Sequence, residues 1–299
     1  MIRRTKKAII ETHPGDQAIL TADWHLRESI PVCRTDNFIA TQWAKVLYIS
    51  ELQKQLQCPV IHAGDLFDHW KPSPYLLSCA IQNLPDQFYT IYGNHDLPQH
   101  SLELAEKSGL YTLLQTDRIQ LLNGSHWGLP AKQIVIPGIK RPIVIWHVMT
   151  WQGKVPWPGC PDPEAKTLLE NTKGPCLILT GHNHKTFKEE SKSGRILLNP
   201  GSLTRQAADQ IDHRPSVFIW RISTNSLTQI FLPIETGVIS RAHIDVKQNR
   251  DNRIAAFIEK LGEDWEIGAS FETNLAKHSS NIPSEVKRII RKALDNAAN

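Results

Sequence analysis

Five segments place aspartate, asparagine or histidine at the end of an apolar run. Asp23 and His25 follow Ala18-Ile19-Leu20, with one tryptophan between them. Asp65 follows Gly64 in GDLFD; Asn94, His95 and Asp96 follow Gly93 in GNHD; His147 closes PIVIWH; His182 and His184 follow Gly181 in GHNH. Asp and His are poor strand formers. On an extended chain residues two apart share a side, so Asp23 and His25 can aim at one point. Each piece alone has a plainer explanation, a polar turn for GHNH or a turn-forming Asn94, or a hydrogen-bonded core histidine for His147. Together, Asp23, His25, Asp65, Asn94, His147, His182 and His184 are too many donors for one tetrahedral zinc. They suit two ions bridged by one carboxylate. Imidazole and carboxylate without thiolate point to Mn, Fe or Zn. Two such ions roughly 3.5 to 4 Å apart form a clamp for in-line phosphoryl hydrolysis.

These donors need strands that end together. The runs AILTA (18–22), PVIHAG (59–64), FYTIYG (88–93), PIVIWH (142–147) and CLILTG (176–181) read as buried strands. Between them, 37–56 has apolar residues at helical spacing with Asp36 or Asn37 as its cap. A second helix is expected over 72–84, with proline near its first turn, and a third over 101–110, SLELAEKSGL. Strands alternating with helices predict a layered α/β fold, in which ligands gather at the carboxyl ends of strands. Glycine before three of the donor groups permits a sharp turn and close approach. After residue 185 the pattern turns to strands alone, RILLNPGS, SVFIWRI and LTQIFLPI, expected as the far side of a two-sheet sandwich. LPIETGV (232–238) reads as a linker. Beyond it a strand at HIDV, a helix at NRIAAFIEKLG, a strand near IGASFET and a basic helix at PSEVKRIIRKALDNA suggest a small α+β domain. The expected boundaries are 1–235 and 239–299.

The 299 residues are 40% hydrophobic and 21% charged, which is globular and provides ample core. A net charge of +4 permits a polyanionic partner without demanding one. The cysteines, Cys33, Cys58, Cys79, Cys160 and Cys176, show no short paired spacing, so they are expected to be reduced in a cytoplasmic protein. No apolar stretch reaches the length of a membrane span.

The order D-x-H, G-D-x-x-D, G-N-H-D, H, G-H-x-H over residues 18–205 resembles the calcineurin-like metallophosphoesterase superfamily. That resemblance implies a two-sheet β-sandwich flanked by helices. It implies that Asp23, His25 and His184 hold one metal, that Asn94, His147 and His182 hold the second, and that Asp65 bridges. It makes His95 the residue that protonates the leaving oxygen or stabilises the transition state, oriented by Asp96. Asp68 is left between an outer hydrogen-bonding role and a turn cap. Protein phosphatases of the family carry Arg-Gly after the second Asp of G-D-x-x-D and end their third motif in Glu; here His69-Trp70 and Asp96 stand instead.

Three features resemble the Mre11/SbcD nuclease branch: ADWHLRESIPVCRTDNF, GDLFDHWKPSPYLLSCA and NPGSLTR. The placing of Asp68 and His69 after GDLF resembles the bacterial version. The branch implies a Mn-dependent DNA exonuclease and endonuclease, a Rad50/SbcC-type ATPase partner, a capping domain, and a homodimer formed through the first two helices; Trp43, Leu47, Leu76 and Leu77 could make that contact or pack on the chain's own sheet, the more common fate of such a stripe. Arg27, His69, Lys71 and Arg205 lie near the ligand motifs in sequence and are candidate DNA contacts. Two basic clusters, Arg3, Arg4, Lys6 and Lys7, and Lys287, Arg288, Arg291 and Lys292, could do the same or be solvated faces. The alternatives are a stand-alone phosphodiesterase or phosphatase on small nucleotides and, further off, a metal-held scaffold without activity.

Overall fold

In a computed structural model, residues 13–139, 141–264 and 283–297 are described. The chain divides into two units between Ser240 and Arg241. The first holds two sheets. Strands β1 (Gln17–Thr21), β2 (Val60–His62), β3 (Phe88–Thr90) and β4 (Gln120–Leu121) run parallel. Strands β5 (Gln133–Ile134), β6 (Ile143–His147), β7 (Leu177–Gly181), β8 (Phe187–Glu190) and β9 (Ile196–Asn199) form the second sheet, in the order β5-β6-β7-β9-β8. Strands β10 (Ser216–Arg221) and β11 (Ser226–Phe231) return to the first sheet, antiparallel beyond β1. The late strands therefore do not form one far sheet. β8 and β9 complete one layer and β10 and β11 the other, because Gln17 to Leu20 pair with β10 on the edge of β1 that β2 leaves open.

Alternation along β1 sets the layers. Ala18 and Leu20 face the second sheet, packing with Ile61, Ile145, Leu179 and Trp220, while Ile19 faces the helices with Val60 and Phe88. Helix α1 (Phe38–Leu56) buries Phe38, Gln42, Val46, Ile49, Leu52 and Leu56, a stripe at helical spacing. Asn37 starts it by accepting a hydrogen bond from the Ala40 amide. Helix α2 (Pro74–Asn83) has Pro74 in its first turn and Ser73 as cap. Helix α4 (Ala165–Asn171), which follows α3 (Gly109–Gln115), covers the outer face of the second sheet through Leu168 and Leu169. The result is an α/β fold of two mixed sheets flanked by helices.

Three expectations shift. The third helix is a 3-10 segment, Leu102–Lys107, followed by α3, because Ser108 breaks the run and caps the new helix at the Tyr111 amide. Residues 232–240 are not a free linker: Val238 accepts from the Thr35 amide, Ser240 donates to the Cys33 carbonyl, and Val238 and Ile239 are buried. HIDV is no strand. It lies in helix α5 (Ala242–Asp264), and the second unit holds no strand among the described residues. Helix α6 (Ser284–Ala297) forms as expected, and IGASFET lies outside the described residues. All five cysteines are free. No helix among the described residues is long and apolar enough to cross a membrane.

One core residue carries a pH prediction. His62 is fully buried between Trp24 and Phe88; its Nδ1 meets Thr90 Oγ1 at 2.9 Å and its Nε2 has no partner. Burial pushes it from 6.5 down to about 3. Between those values the unfolded chain binds a proton that the folded chain refuses. Its contribution is therefore intact above about pH 6.5 and is lost as pH falls towards 3, by about 1.4 kcal/mol per unit. His62→Leu should move the acid-unfolding midpoint to lower pH; an unchanged midpoint would contradict this.

Candidate metal centre

The parallel strands β1, β2 and β3 of one sheet and β6 and β7 of the other deliver every ligand motif from a carboxyl end. Beyond the strands the first two loops stay laced together: Asp23 N donates to Gly64 O, His25 N to Asp65 O and Leu26 N to Leu66 O. Helix α1 braces this pair, since the buried Gln42 side chain bonds both the amide and the carbonyl of Arg27 at 3.1 Å. Two clusters result. In one, the donor atoms of Asp23, His25 and His184 lie within 4.8 Å of one another, with the two imidazole Nε2 atoms 3.0 Å apart. In the other, Asp65, His147 and His182 gather equally closely. Asn94 Oδ1 stands 3.0 Å from His147 Nε2 and 2.8 Å from His182 Nδ1. Asp65 Oδ2 reaches both clusters, 3.6 Å from His25 Nε2 and 3.3 Å from His147 Nε2. The structure thus brings together all seven expected donors, with Asp65 between the two groups.

Backbone strain is concentrated here. Asp23, His25, Asp65 and His182 all take positive φ, 45° to 81°. Non-glycine residues in that region cost of order 1 to 3 kcal/mol each and persist where the surroundings enforce them. The glycines before the ligands serve close approach. A Cβ on Gly93 would overlap the Asp65 carboxylate, one on Gly64 would meet His147 Nδ1 at 2.5 Å, and one on Gly181 would meet Ala63 O at 2.5 Å.

The donors fit a pair of divalent cations. Burial holds His25 well below its usual value, His184 below it, and His182 at about 4, so these rings are neutral ligands. Burial raises Asp23 to about 8 despite the counter-effect of His147. Burial would also depress His147, but the Asp65 carboxylate overrides it and raises the ring to about 9. Asp65 itself is held low; burial works against this and His147 outweighs it. His147 Nδ1 bonds Ala63 O at 2.7 Å, which leaves Nε2 for a metal.

A family model described as the calcineurin-like phosphoesterase superfamily domain matches residues 18–225, which reach from β1 through β10 and include every ligand loop. The chain belongs to that superfamily. No curated protein sequence matches it. Among solved structures, it is similar to a metallophosphoesterase from Sphaerobacter thermophilus at 14% identity, covering 73% of this chain and 89% of that one, with a TM-score of 0.37. It is likewise similar to wild-type Vps29 from Entamoeba histolytica complexed with zinc (13%, 72% and 98%, TM-score 0.33) and to Vps29 from Cryptosporidium parvum (15%, 74% and 98%, TM-score 0.35).

In this calcineurin-like phosphoesterase His95 sits beside the clusters, its ring edge-on to His25 with centroids 4.7 Å apart. Its orientation does not come from Asp96. The Asp96 carboxylate is fully buried and accepts from the amides of Asp65, Leu66, Phe67 and Gly93, so it shapes the loop that carries the bridging ligand. His95 Nδ1 instead meets Asp68 O at 2.7 Å, and the Asp68 carboxylate joins His25 and His95 in a third close group. Asp68 also pairs with Arg27 at 3.3 Å, so it links the first two motifs and carries more than a turn. Pattern reading missed Trp127, whose ring lies 4.8 Å from that of His182 and walls the second cluster. A lone tryptophan outside any motif gives no signal for that place.

The candidate DNA contacts separate. His69 and Lys71 are exposed beside the Asp65 loop. Arg27 is tied to Asp68, Gln206 and Ser29. Arg205 is not a surface contact: it is 6% exposed and its guanidinium donates to Ile211 O at 3.3 Å and Glu235 O at 2.6 Å. It strands two carbonyls if removed. Arg205→Ala should cost about 2 kcal/mol, a Tm loss of about 5 °C. A calorimetric scan showing no loss would restore it to the surface.

Proposed function

We propose that the chain is a dinuclear-metal phosphodiesterase acting on DNA, Mn-dependent, with both exonuclease and endonuclease action, working in the cytoplasm with a Rad50/SbcC-type ATPase and as a homodimer. The observation that carries the phosphoester chemistry is the single Asp65 carboxylate lying between two ligand clusters, 3.6 and 3.3 Å from their histidines. The DNA substrate is supported by the GDLF, D-x-H-L and NPGS resemblances and by exposed His69 and Lys71 beside the centre. A dimer would use Leu47 and Tyr48 of α1 and Tyr75 and Ile81 of α2, which are exposed; Leu76 is core, and Trp43 and Leu77 pack against it.

Bound at the two clusters, divalent cations supply the charge that neutralises the phosphoryl oxygens and the acidity that makes a water nucleophilic near neutral pH. The chain supplies the rest. Asp23 is aimed by the His182 amide at 2.9 and 3.1 Å. Asp65 Oδ1 is held by the His95 amide at 2.8 Å, leaving Oδ2 to face both clusters. His95, with Nδ1 on the Asp68 carbonyl, presents Nε2 towards the departing oxygen and can release a proton there.

The test is purified, Mn-loaded protein on linear duplex and single-stranded DNA beside bis(p-nitrophenyl) phosphate and mononucleotides. Degradation of DNA that falls steeply with salt is expected, because phosphate contacts release counterions. Intact DNA alongside rapid hydrolysis of small phosphodiesters would hand the function to the small-nucleotide reading.

A further inference from the structure

A groove of about 960 Å³ begins at His182 and His184 and runs away from the centre between the sheet edges. One wall is the segment 183–188 leading into β8, another is the loop 207–214, and the floor comes from β10 and β11. No ligand motif accounts for it. Its volume lies in the range of pockets that hold small ligands.

The lining has two characters. Phe231, 45% exposed on the edge strand, gives an accessible aromatic face, while Phe187 and Phe218 are nearly buried. Lys185 and Arg214 bring positive charge. Arg214 is stacked over Phe231 with its guanidinium carbon 4.2 Å from the ring centroid. That contact positions the cation through the ring face and leaves its N–H groups for an anion. Lys188 is already paired with Glu190 at 3.3 Å. Asp209 and Asp212 also line the groove.

A phosphodiester has two organic groups. Because the groove opens onto ligand residues of the centre, an ester held there at its phosphate extends one of those groups into it. We propose that this groove is a nucleotide subsite for a single DNA strand, with a base on the phenylalanine surface and the next phosphate against Arg214 and Lys185. This deepens the phosphodiesterase reading and rests on it. Base-on-aromatic stacking of this kind tolerates any sequence, because every base has a π-face.

The experiment compares Phe231→Ala, Arg214→Ala and Lys185→Ala with wild type on three diesters: an oligothymidylate, thymidine 5′-(p-nitrophenyl phosphate) and bis(p-nitrophenyl) phosphate. Metal content and Tm are recorded for each. Phe231→Ala is expected to lower kcat/KM on both thymidine substrates, relative to the base-free diester, about 10-fold. Arg214→Ala and Lys185→Ala are expected to lower the ratio of oligothymidylate to thymidine ester, where a second phosphate is the difference. A purely structural effect would lower all three together and leave the ratios fixed, which overturns the proposal. Fluorescence anisotropy of labelled oligothymidylate is measured in parallel. If wild type binds but does not cleave it, the nuclease reading fails and the subsite is judged by whether the variants lose binding. If wild type cleaves and the variants match it, the nuclease reading survives and the subsite falls. If a single nucleotide loses as much as the oligothymidylate in every variant, the groove serves mononucleotides and the strand assignment is wrong.

Discussion

Asp65→Ala is expected to leave the protein unable to hold two metal equivalents and to reduce phosphodiester hydrolysis on the order of 1,000-fold or more. The size follows from what is lost: charge stabilisation by a metal pair is worth several kcal/mol, and each 1.36 kcal/mol is tenfold in rate. The site follows from position. Among the described residues Asp65 is the one carboxylate whose oxygen lies beside a histidine of each cluster, and its other oxygen is fixed by the His95 amide. Its backbone is held at φ 59° by bonds from the Asp65 and Leu66 amides to Asp96. Removing the side chain therefore takes away the shared donor and the acceptor of the His95 amide, while the bonds from the loop amides to Asp96 remain. Asp65→Asn, which keeps shape and loses charge, separates this from misfolding. Elemental analysis of both variants, with circular dichroism as the control for fold, decides the matter. Two retained equivalents in Asp65→Ala would sink the bridging role.

The same loop shows where pattern reading succeeds and fails. The ligand set is legible because each motif interrupts a buried apolar run with residues that strands disfavour, and five such interruptions in one chain need a common cause. The parallel strands then carry all five to one edge. Asp96 is a different matter. It adjoins His95 in the chain, which suggests a pair, yet three of its four amide partners lie about thirty residues away. Only the fold brings Asp65 to Phe67 over it. Arg205 fails for the same reason: adjacency to NPGS suggests the cleft, but Glu235, thirty residues on, pulls its guanidinium inward. The division of the late strands between two sheets was equally hidden, since β9 and β10 read alike until pairing with β7 and β1 separates them.

His95→Ala tests the part of the mechanism that belongs to the chain alone. It is expected to keep its metals and to lose roughly 100- to 10,000-fold in kcat, the usual contribution of a positioned proton donor. Metal retention follows from geometry. The His95 main-chain amide, not its ring, fixes Asp65 Oδ1, and that bond survives the substitution. The ring is oriented by a carbonyl of Asp68, so Nε2 is the atom left for substrate. If that atom gives its proton to the leaving oxygen, the defect depends on how badly the oxygen needs it. An alkoxide expelled from DNA needs it greatly, and a p-nitrophenolate needs it little. The loss on DNA should therefore exceed the loss on bis(p-nitrophenyl) phosphate by at least tenfold. An equal loss on both would make His95 a stabiliser of charge on the phosphoryl group instead. A third result, metal lost in step with activity and full rate per loaded enzyme, would make it a ligand after all, with His25 and Asp68, whose donor atoms lie within 4.8 Å of its own, as its companions.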